Sequence, residues 1–462
     1  MAPRVLTRPY DLGVFLCKKK KGSIIMKRTY INDLKNHGNE EVVVKGFIDK
    51  IRDLQYVQFI ILRDITGKVQ ITVEKNGENK ELTEIFSNLP LESTISATCK
   101  VLINEKVKMG GLELIPSKVE VTSRSLPELP FDIKSKDNAL RETRLDYRFL
   151  DLRREENQLL FKCETYLEHS MREFCLDNNF IEIHSPKIAE GTAEGGAEVF
   201  KLDYFGKQAS LSQSPQFYKQ MAIASGFDKV FEIGTVFRAE NSHTSYHATE
   251  INMVDIEIGD IDSVNDVMDF QEAWLKYSFT KLKEKYGEEI KKHFNVEISD
   301  VSLTFPRITF KEAKEILKEK YHYTGSAPED FERKEEELLG KYAKEKYKSD
   351  FIFITNYPYS ARPFYSMKNE EGTTETYDLL YKGIEITSGA QREHRYDILT
   401  KQIEEKGIDP KTLDFYIEFF KYGCPPHGGF GFGMARLLMR IFEIDNIREA
   451  TFIYRGPTRL KP

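Results

Sequence analysis

The clearest chemistry in the sequence lies in the segment FRAE, where an arginine and a carboxylate occur close together. Arg238 and Glu240 are two residues apart, so their side chains share one face of a β-strand. A guanidinium is a rigid fork of donors that suits a phosphate, and a carboxylate beside it can accept a hydrogen bond from an amino group. The segment therefore indicates either a phosphate-binding site or an ordinary cross-strand ion pair.

A second candidate is the run GGFGFG at 428–433, whose glycines indicate a close backbone approach. The run superficially resembles a dinucleotide fingerprint, but it does not open a βαβ unit, and GxxxxGK[ST] occurs nowhere in the chain. The hydrolase motif GxSxG is also absent, and the histidines lack metal-site spacing. Rossmann, P-loop, hydrolase and zinc-enzyme interpretations are therefore weak.

The pattern of residues 41–122 predicts a small β-barrel. Five β-rich runs, EVVVKGFI, VQFIILRD, KVQITVE, STISATCKVLI and LELIPSKVEV, have one helical stretch, NKELTEIFSNL, between the third and fourth. This order is typical of an OB-fold, whose exposed strand face binds single-stranded nucleic acid. Phe59 could then stack on a base and Gln70 could read a base edge. The alternative for both is ordinary barrel packing.

The rest of the chain predicts a larger domain of mixed structure. A polar segment with Pro127 and Pro130 reads as a hinge, followed by a helix near 155–178, mixed strands, and long charged helices between about 260 and 348. Strict βαβ alternation is absent, which favours an antiparallel sheet flanked by helices and an α+β fold class. We expect an extension at 1–36, an OB-fold at 37–125, a hinge at 126–153 and a catalytic domain at 154–462.

Composition limits the classes of partner and compartment. The formal charge of −6 argues against a globally basic nucleic-acid binder, so any RNA must meet local basic patches. The 5 cysteines form no CxxC pair, and neither a membrane span nor a secretion signal is evident, which predicts a cytoplasmic protein without a membrane partner. The run from Lys18 to Lys21 before Met26 is either a solvated charge run, an upstream start artefact or a nonspecific RNA-binding arm.

Three separated segments resemble the class II aminoacyl-tRNA synthetases. NNFIEIHSPKI, ending at Pro186, resembles motif 1, which builds the dimer interface in that family; VFEIGTVFRAENSHTSYHATEINMVDIEI resembles motif 2; and GGFGFGMARLLMRIF resembles motif 3. Two further segments, LSQSPQFYKQM and GIEITSGAQREHRYDIL, are similar to signatures of aspartyl enzymes, and the second matches their archaeal and eukaryotic subgroup. The resemblance covers about Tyr30 to Pro462. It implies ATP-dependent activation of L-aspartate, Mg²⁺ as cofactor, transfer to tRNA(Asp), and a homodimer.

The resemblance also implies the roles of individual residues. Arg238 would stabilise the α-phosphate and Arg436 would lie against the adenine and the γ-phosphate, which His247 also contacts. The ATP-binding set is Arg238, Ala239, Glu240, Tyr246, His247, Ala248, Glu385, Gly433, Met434, Ala435 and Arg436. The aspartate-binding set is Glu194, Gln213, Ser214, Pro215, Gln216, Lys219, Arg238, Asp255, Ser388 and Arg392. The metal ligands would be Asp378, Glu385 and Ser388, and the anticodon-binding residues Phe59, Gln70 and Lys106.

Charge chemistry supports aspartate as the substrate. A β-carboxylate requires positive charge in a site that also handles anionic ATP, and Arg392 with Lys219 would supply a fork and a point charge. Neutral asparagine would leave those charges underused. We therefore expect discrimination against asparagine as the free amino acid.

Three positions depart from the family pattern. Tyr246 replaces the usual arginine before the histidine of the motif 2 loop, Ala435 replaces an acidic residue before the motif 3 arginine, and Gly456 replaces the acid in the closing segment. These departures bear on ATP affinity and on the aminoacylation rate. Two alternatives to a strict aspartyl enzyme stay open, because the last OB-fold loop around Glu105 and Lys106 does not settle the tRNA specificity. One is an enzyme that also aspartylates tRNA(Asn), and the other is a noncatalytic RNA-binding paralogue.

Overall fold

The computed structural model describes residues 27–134, 139–190 and 199–462. The chain divides into two units, with the boundary between Pro130 and Phe131, inside the segment predicted as a hinge. The lysine run at 18–21 lies outside the described residues. Among the residues that are described, no helix combines the length and the apolar character that a membrane crossing requires.

Five strands of the first unit close into a barrel. They are β1 (Glu41–Asp53), β2 (Val57–Asp64), β3 (Gly67–Glu74), β4 (Thr94–Ile103) and β5 (Leu112–Ser123), paired in the order β1-β2-β3-β5-β4. Helix α1 (Lys80–Ser87) lies between β3 and β4 in the chain. Alternate residues such as Ile60 and Leu62 fill the interior, whereas Phe59 and Ile61 belong to the less buried face. The predicted OB-fold order is confirmed.

The second unit begins with helices and short strands. Its first elements are α2 (Arg141–Asp146), α3 (Arg148–Asp151), α4 (Glu155–Asp177), β6 (Ile181–Glu182), β7 (Ile188–Ala189), β8 (Lys201–Tyr204), β9 (Lys207–Leu211), α5 (Gln216–Ala224), β10 (Lys229–Phe237) and β11 (Glu250–Gly259). The remainder comprises α6 (Val264–Phe294), β12 (Arg307–Thr309), α7 (Phe310–Tyr321), α8 (Arg333–Tyr347), β13 (Phe351–Thr355), β14 (Thr376–Tyr381), β15 (Ile384–Gln391), α9 (Tyr396–Glu405), α10 (Asp414–Ile417), β16 (His427–Gly433) and α11 (Met434–Ile441).

An eight-stranded sheet forms the centre of this unit, in the order β12-β13-β14-β15-β16-β11-β10-β6. The strands from β13 to β10 pair antiparallel, as predicted, but both edge pairs, β12 with β13 and β10 with β6, are parallel. A separate three-stranded sheet has the order β7-β9-β8. The α+β class with a helix-flanked sheet is therefore confirmed, with parallel edges added.

Two long helices cover the side of the sheet that faces the core. Helix α6 begins at a capping box formed by Ser263 and Asp266, which satisfies free backbone donors of its first turn. Its Trp274 is fully buried against Phe430 and Phe432 of β16, with ring centroids 5.6 and 5.2 Å away. The same indole donates a hydrogen bond to the Met171 carbonyl of α4. The aromatic residues of the glycine-rich run therefore anchor β16, and Gly429, Gly431 and Gly433 alternate with them on the opposite face.

Candidate functional site

A cavity of about 290 Å³ opens on the glycine face of the central sheet. The predicted residues that line it are Ser214, Gln216, Arg238, Glu240, Tyr246, His247, Asp255, Glu385, Ser388, Arg392, Gly433, Ala435 and Arg436. Predicted residues within the described ranges that do not line it are Gln213, Pro215, Lys219, Ala239, Ala248, Met434 and Asp378. Glu194 lies outside the described residues.

The register of four neighbouring strands brings these segments together. Asp255 of β11 pairs with Gly431 of β16, which pairs with Ser388 of β15, which pairs with Asp378 of β14. Because the pairing places one residue from each strand at the same level, side chains on the same face converge. The central sheet thus brings four segments that are distant in the sequence together on one face, at the floor of the cavity.

Glycines in β16 make room for the groups around this floor. A Cβ on Gly429 would lie 2.0 Å from the Ile256 carbonyl oxygen and 2.4 Å from a Glu257 carboxylate oxygen. Gly431 and Gly433 line the cavity itself. The close backbone approach indicated by the sequence is therefore an approach to a buried carboxylate and to an open cavity, without a dinucleotide-type turn.

One end of the cavity combines arginine, histidine and carboxylate groups. Arg436 donates to the Glu385 carbonyl oxygen at 3.2 Å and lies 3.6 Å from its carboxylate. Nε2 of His247 lies 3.9 Å from the Glu240 carboxylate. Burial and then Arg436 lower the pKa of His247, against the opposing charge of Glu240. The imidazole is therefore neutral at neutral pH, and the arginines supply the positive charge at this end.

The motif 2 loop is held in place by the C-terminal segment. Ile447 donates its backbone N–H to the Ser245 carbonyl oxygen at 2.8 Å, and the Tyr454 hydroxyl donates to the His247 carbonyl oxygen at 3.2 Å. A Cβ on Gly456 would lie 2.2 Å from that Tyr454 hydroxyl. The glycine that departs from the family pattern is thus the residue that this close packing against Tyr454 permits.

The predicted metal ligands form a hydrogen-bonded oxygen cluster. The Ser388 hydroxyl lies 2.8 Å from both an Asp378 and a Glu385 carboxylate oxygen. The guanidinium of Arg362, which sequence reasoning missed, holds Asp378 through two hydrogen bonds of 3.0 and 2.6 Å. The described residues contain no cluster of three histidine, cysteine or acidic side chains suited to a metal. Hard oxygen donors suit Mg²⁺, and of this cluster Glu385 and Ser388 face the cavity.

Two cations are already paired at the opposite end of the cavity, where Arg392 lines the cavity and Lys219 lies behind its lining. Arg392 donates through Nε and Nη2 to the buried carboxylate of Glu257, at 2.9 and 3.3 Å. Lys219 lies 3.0 Å from Asp255 and 3.4 Å from Glu257. Burial opposes ionisation of Glu257, but Arg392 and Lys219 outweigh it and hold the pKa of this carboxyl below its usual value.

This pairing changes the charge argument made from the sequence. The two cations face two carboxylates, so they carry no net surplus of positive charge, and Lys219 also donates to the Ile256 and Phe430 carbonyl oxygens behind the floor. Glu257 engages Nε and Nη2 of Arg392 but not Nη1. Glu257 was missed although it shares a strand face with Asp255, two residues earlier.

The predicted anticodon residues lie on one groove of the barrel. Phe59, Gln70 and Lys106 line a depression of about 1090 Å³. The Gln70 amide donates to the Thr72 hydroxyl at 3.2 Å, and this hydroxyl donates to Glu113. The groove face, rather than the barrel core, therefore holds the aromatic ring and the amide that the sequence singled out.

Comparisons with known proteins agree with this architecture. The family described as tRNA synthetases class II (D, K and N) matches residues 140–454, and the OB-fold nucleic acid binding domain matches residues 42–122. An Aspartate--tRNA(Asp/Asn) ligase of Methanopyrus kandleri is 43% identical over 442 residues, covering 95% of this chain and 100% of the relative. An Aspartate--tRNA(Asp) ligase of Pyrococcus horikoshii is 42% identical over 443 residues, with the same coverage of 95% and 100%.

A solved structure shows that the fold alone does not separate neighbouring specificities. The asparaginyl-tRNA synthetase of Pyrococcus horikoshii, complexed with asparaginyl-adenylate, aligns with a TM-score of 0.88 and 31% identity. The alignment covers 95% of this chain and 100% of that chain. Sequence identity is higher to the two aspartate ligases than to this structure.

Proposed function

The chain belongs to the archaeal-type aspartyl-tRNA synthetases of class II, and we propose that it activates L-aspartate with ATP and transfers the aspartyl group to the 3′ end of tRNA(Asp). The observation that carries this proposal is the convergence of Arg238, Arg392 and Arg436 on one cavity. The scattered free cysteines suit a reducing compartment, so we place the reaction in the cytoplasm.

In the first step, the aspartate α-carboxylate attacks the α-phosphorus of ATP in line, and pyrophosphate leaves. Arg238 would stabilise the negative charge on the pentavalent phosphorus, and Glu240 would accept a hydrogen bond from the adenine amino group. Arg436, fixed by its hydrogen bond to the Glu385 carbonyl, would pack on the adenine and reach the γ-phosphate. Positioning and electrostatics therefore account for catalysis without a covalent enzyme intermediate.

Glu385 and Ser388 would hold Mg²⁺, and Asp378 would fix the Ser388 hydroxyl from behind. When bound, the cation neutralises charge on the phosphates and on departing pyrophosphate. The residue Arg362 keeps Asp378 oriented through its two hydrogen bonds. The cluster thus supplies the oxygen donors that a hard cation needs.

We assign recognition of the substrate side chain to Arg392. Its guanidinium is held by Glu257 at Nε and Nη2, which directs Nη1 as the donor for the β-carboxylate of aspartate. The side-chain amide of asparagine would instead offer Nη1 a neutral oxygen, and its NH₂ group would repel the guanidinium donors. Local hydrogen-bond geometry, rather than surplus charge, would therefore select aspartate.

The groove of the barrel would read the anticodon through Phe59, Gln70 and Lys106. A second candidate specificity has support, because one relative is named for both tRNA(Asp) and tRNA(Asn). Aspartylation of purified tRNA(Asp) and tRNA(Asn) with labelled aspartate tests both. We expect tRNA(Asp) to be charged; charging of tRNA(Asn) as well would indicate the broader enzyme, and charging of neither would indicate a noncatalytic paralogue.

A further inference from the structure

The first turn of α8 contacts the loop between β10 and β11 at one aromatic ring. The guanidinium carbon of Arg333 lies 4.8 Å from the ring centroid of Tyr246. This distance is typical of a cation–π interaction. Tyr246 lines the cavity beside His247, whereas Arg333 lies behind the ring and outside the cavity lining. The contact therefore reaches the ATP end of the cavity from outside.

The other partners of Arg333 lie on α8 itself and on the turn that precedes β15. Its Nη1 donates to the Gly383 carbonyl oxygen and, at 3.1 Å, to the Glu336 carboxylate. The same Glu336 oxygen accepts the backbone N–H of Glu385 at 3.4 Å. One guanidinium thus joins the Tyr246 loop to the start of β15, the strand that carries the candidate metal ligand Glu385.

Close backbone packing fixes α8 in this position. A Cβ on Gly340 of α8 would lie 2.5 Å from the Gly383 backbone nitrogen, and a Cβ on Gly383 would lie 2.9 Å from the Glu337 Cα. Gly383 also has a φ of +70°, a conformation that glycine adopts without strain. The helix therefore rests directly on the turn before β15, and Arg333 projects from a rigid support.

We propose that Arg333 is a positioning residue for ATP, which holds Tyr246 and the adjoining His247 over the triphosphate end of the cavity. The inference rests on the proposed adenylation reaction but concerns a residue that touches no substrate. The base of the loop is already held through Ser245 and the Ile447 N–H. Arg333 adds the side-chain contact that fixes the next residue of the loop.

The test replaces Arg333 by methionine, which retains length and removes the charge. ATP affinity by calorimetry should fall about 3- to 20-fold, the range of a cation–π contact, and KM for ATP in pyrophosphate exchange should rise equally. KM for aspartate should stay unchanged, and the unfolding temperature should fall slightly, because the substitution also removes the ion pairs of Arg333 with Glu336 and Glu337. Arg333→Lys should restore part of the affinity. Lys334→Met is the matched control, because Lys334 is the next residue on α8 and its side chain is 56% exposed.

Substitutions of Tyr246 test the same contact independently. Tyr246→Phe keeps the ring and should therefore retain more ATP affinity than Tyr246→Leu, which should reproduce the Arg333→Met loss. The double variant Arg333→Met with Tyr246→Leu should bind ATP no more weakly than the weaker single variant, because both substitutions remove the same contact. Unchanged ATP affinity in Arg333→Met, equal rises of KM for ATP and aspartate, or fully additive losses would each overturn the proposal. A wild-type protein that binds ATP without exchange would refute the proposed function and leave this affinity comparison decisive.

Discussion

The buried pair of Arg392 and Glu257 determines how the substrate end of the cavity can be tested. Glu257 is fully buried, so an apolar substitution of Arg392 would leave its carboxylate with Lys219 as its only cationic partner among the described residues and cost up to about 3–5 kcal/mol of stability. Arg392→Lys retains a positive charge beside Glu257 and removes only the fork. The lysine variant is therefore the cleaner probe of aspartate recognition.

We predict that Arg392→Lys lowers kcat/KM for aspartate roughly 10- to 100-fold, the cost of one charge-assisted hydrogen bond of about 1.5–3 kcal/mol. ATP affinity should be near normal, because Arg238 and Arg436 lie at the other end of the cavity. Aspartate-dependent pyrophosphate exchange and calorimetry with ATP measure the two effects. Arg395→Lys, three residues further on with a 48% exposed side chain, is the control. Equal loss of ATP and aspartate binding would make Arg392 a structural or phosphate ligand.

Glu385 gives a prediction about metal dependence. Glu385→Ala removes the carboxylate of the oxygen cluster that faces the cavity, so adenylate formation should fall at least tenfold and the magnesium concentration for half-maximal rate should rise. A titration of exchange rate against Mg²⁺ measures this change. Glu418→Ala removes a half-exposed surface carboxylate and serves as the control. An unchanged magnesium profile in Glu385→Ala would exclude it as a ligand.

At the residue scale, the sequence predicts side chains within continuous segments but not their distant partners. Arg238 and Glu240 could be assigned from one tetrapeptide. Arg392 and Glu257 are separated by 135 residues, and no local pattern links them. Arg362 likewise reaches Asp378 only because the fold brings them together. The sequence therefore identified half of the residues that line the cavity and missed the ion pairs that orient them.

Among the elements, the barrel separates base recognition from adenylation. Phe59 belongs to the groove face of β2, so Phe59→Ala should leave the core intact and remove one stacking contact. We predict a fall in kcat/KM for tRNA of roughly 5- to 150-fold, from about 1–3 kcal/mol per stacked base, with tRNA-independent exchange unchanged. Leu54→Ala, at a 52% exposed position outside the groove, is the control. Damage to both assays would place Phe59 in the folding core.

The motif 1 region leads to a prediction about assembly. Residues 155–187 include Leu176 and Ile181, which are 53% and 48% exposed, and the neighbouring Ile188 of β7 is 46% exposed. Exposed aliphatic residues on a helix and an edge strand are typical of a subunit interface. We predict a homodimer by sedimentation velocity at micromolar concentration. Ile181→Asp should shift it towards monomer, whereas Leu303→Asp, at a 50% exposed site elsewhere, should not. A monomeric wild-type protein would contradict the assignment.

The secondary structure was predictable where its pattern is long. The barrel strands alternate over 8 to 13 residues, and α4 and α6 extend over 23 and 31 residues. Strands β6 and β7 contain 2 residues each and form only through tertiary pairing, so no sequence periodicity predicts them. The parallel edges of the sheet were missed for the same reason.

For the whole molecule, the central claim is that this aspartyl-type chain activates aspartate and distinguishes it from asparagine. Because Arg392 and Lys219 already face Asp255 and Glu257, discrimination must come from local hydrogen bonds. Pyrophosphate exchange by the purified wild-type protein, with ATP, Mg²⁺ and either amino acid, measures this directly without tRNA. We predict exchange with aspartate and at least a 100-fold lower kcat/KM with asparagine. Comparable exchange with asparagine, or none with aspartate, would contradict the account.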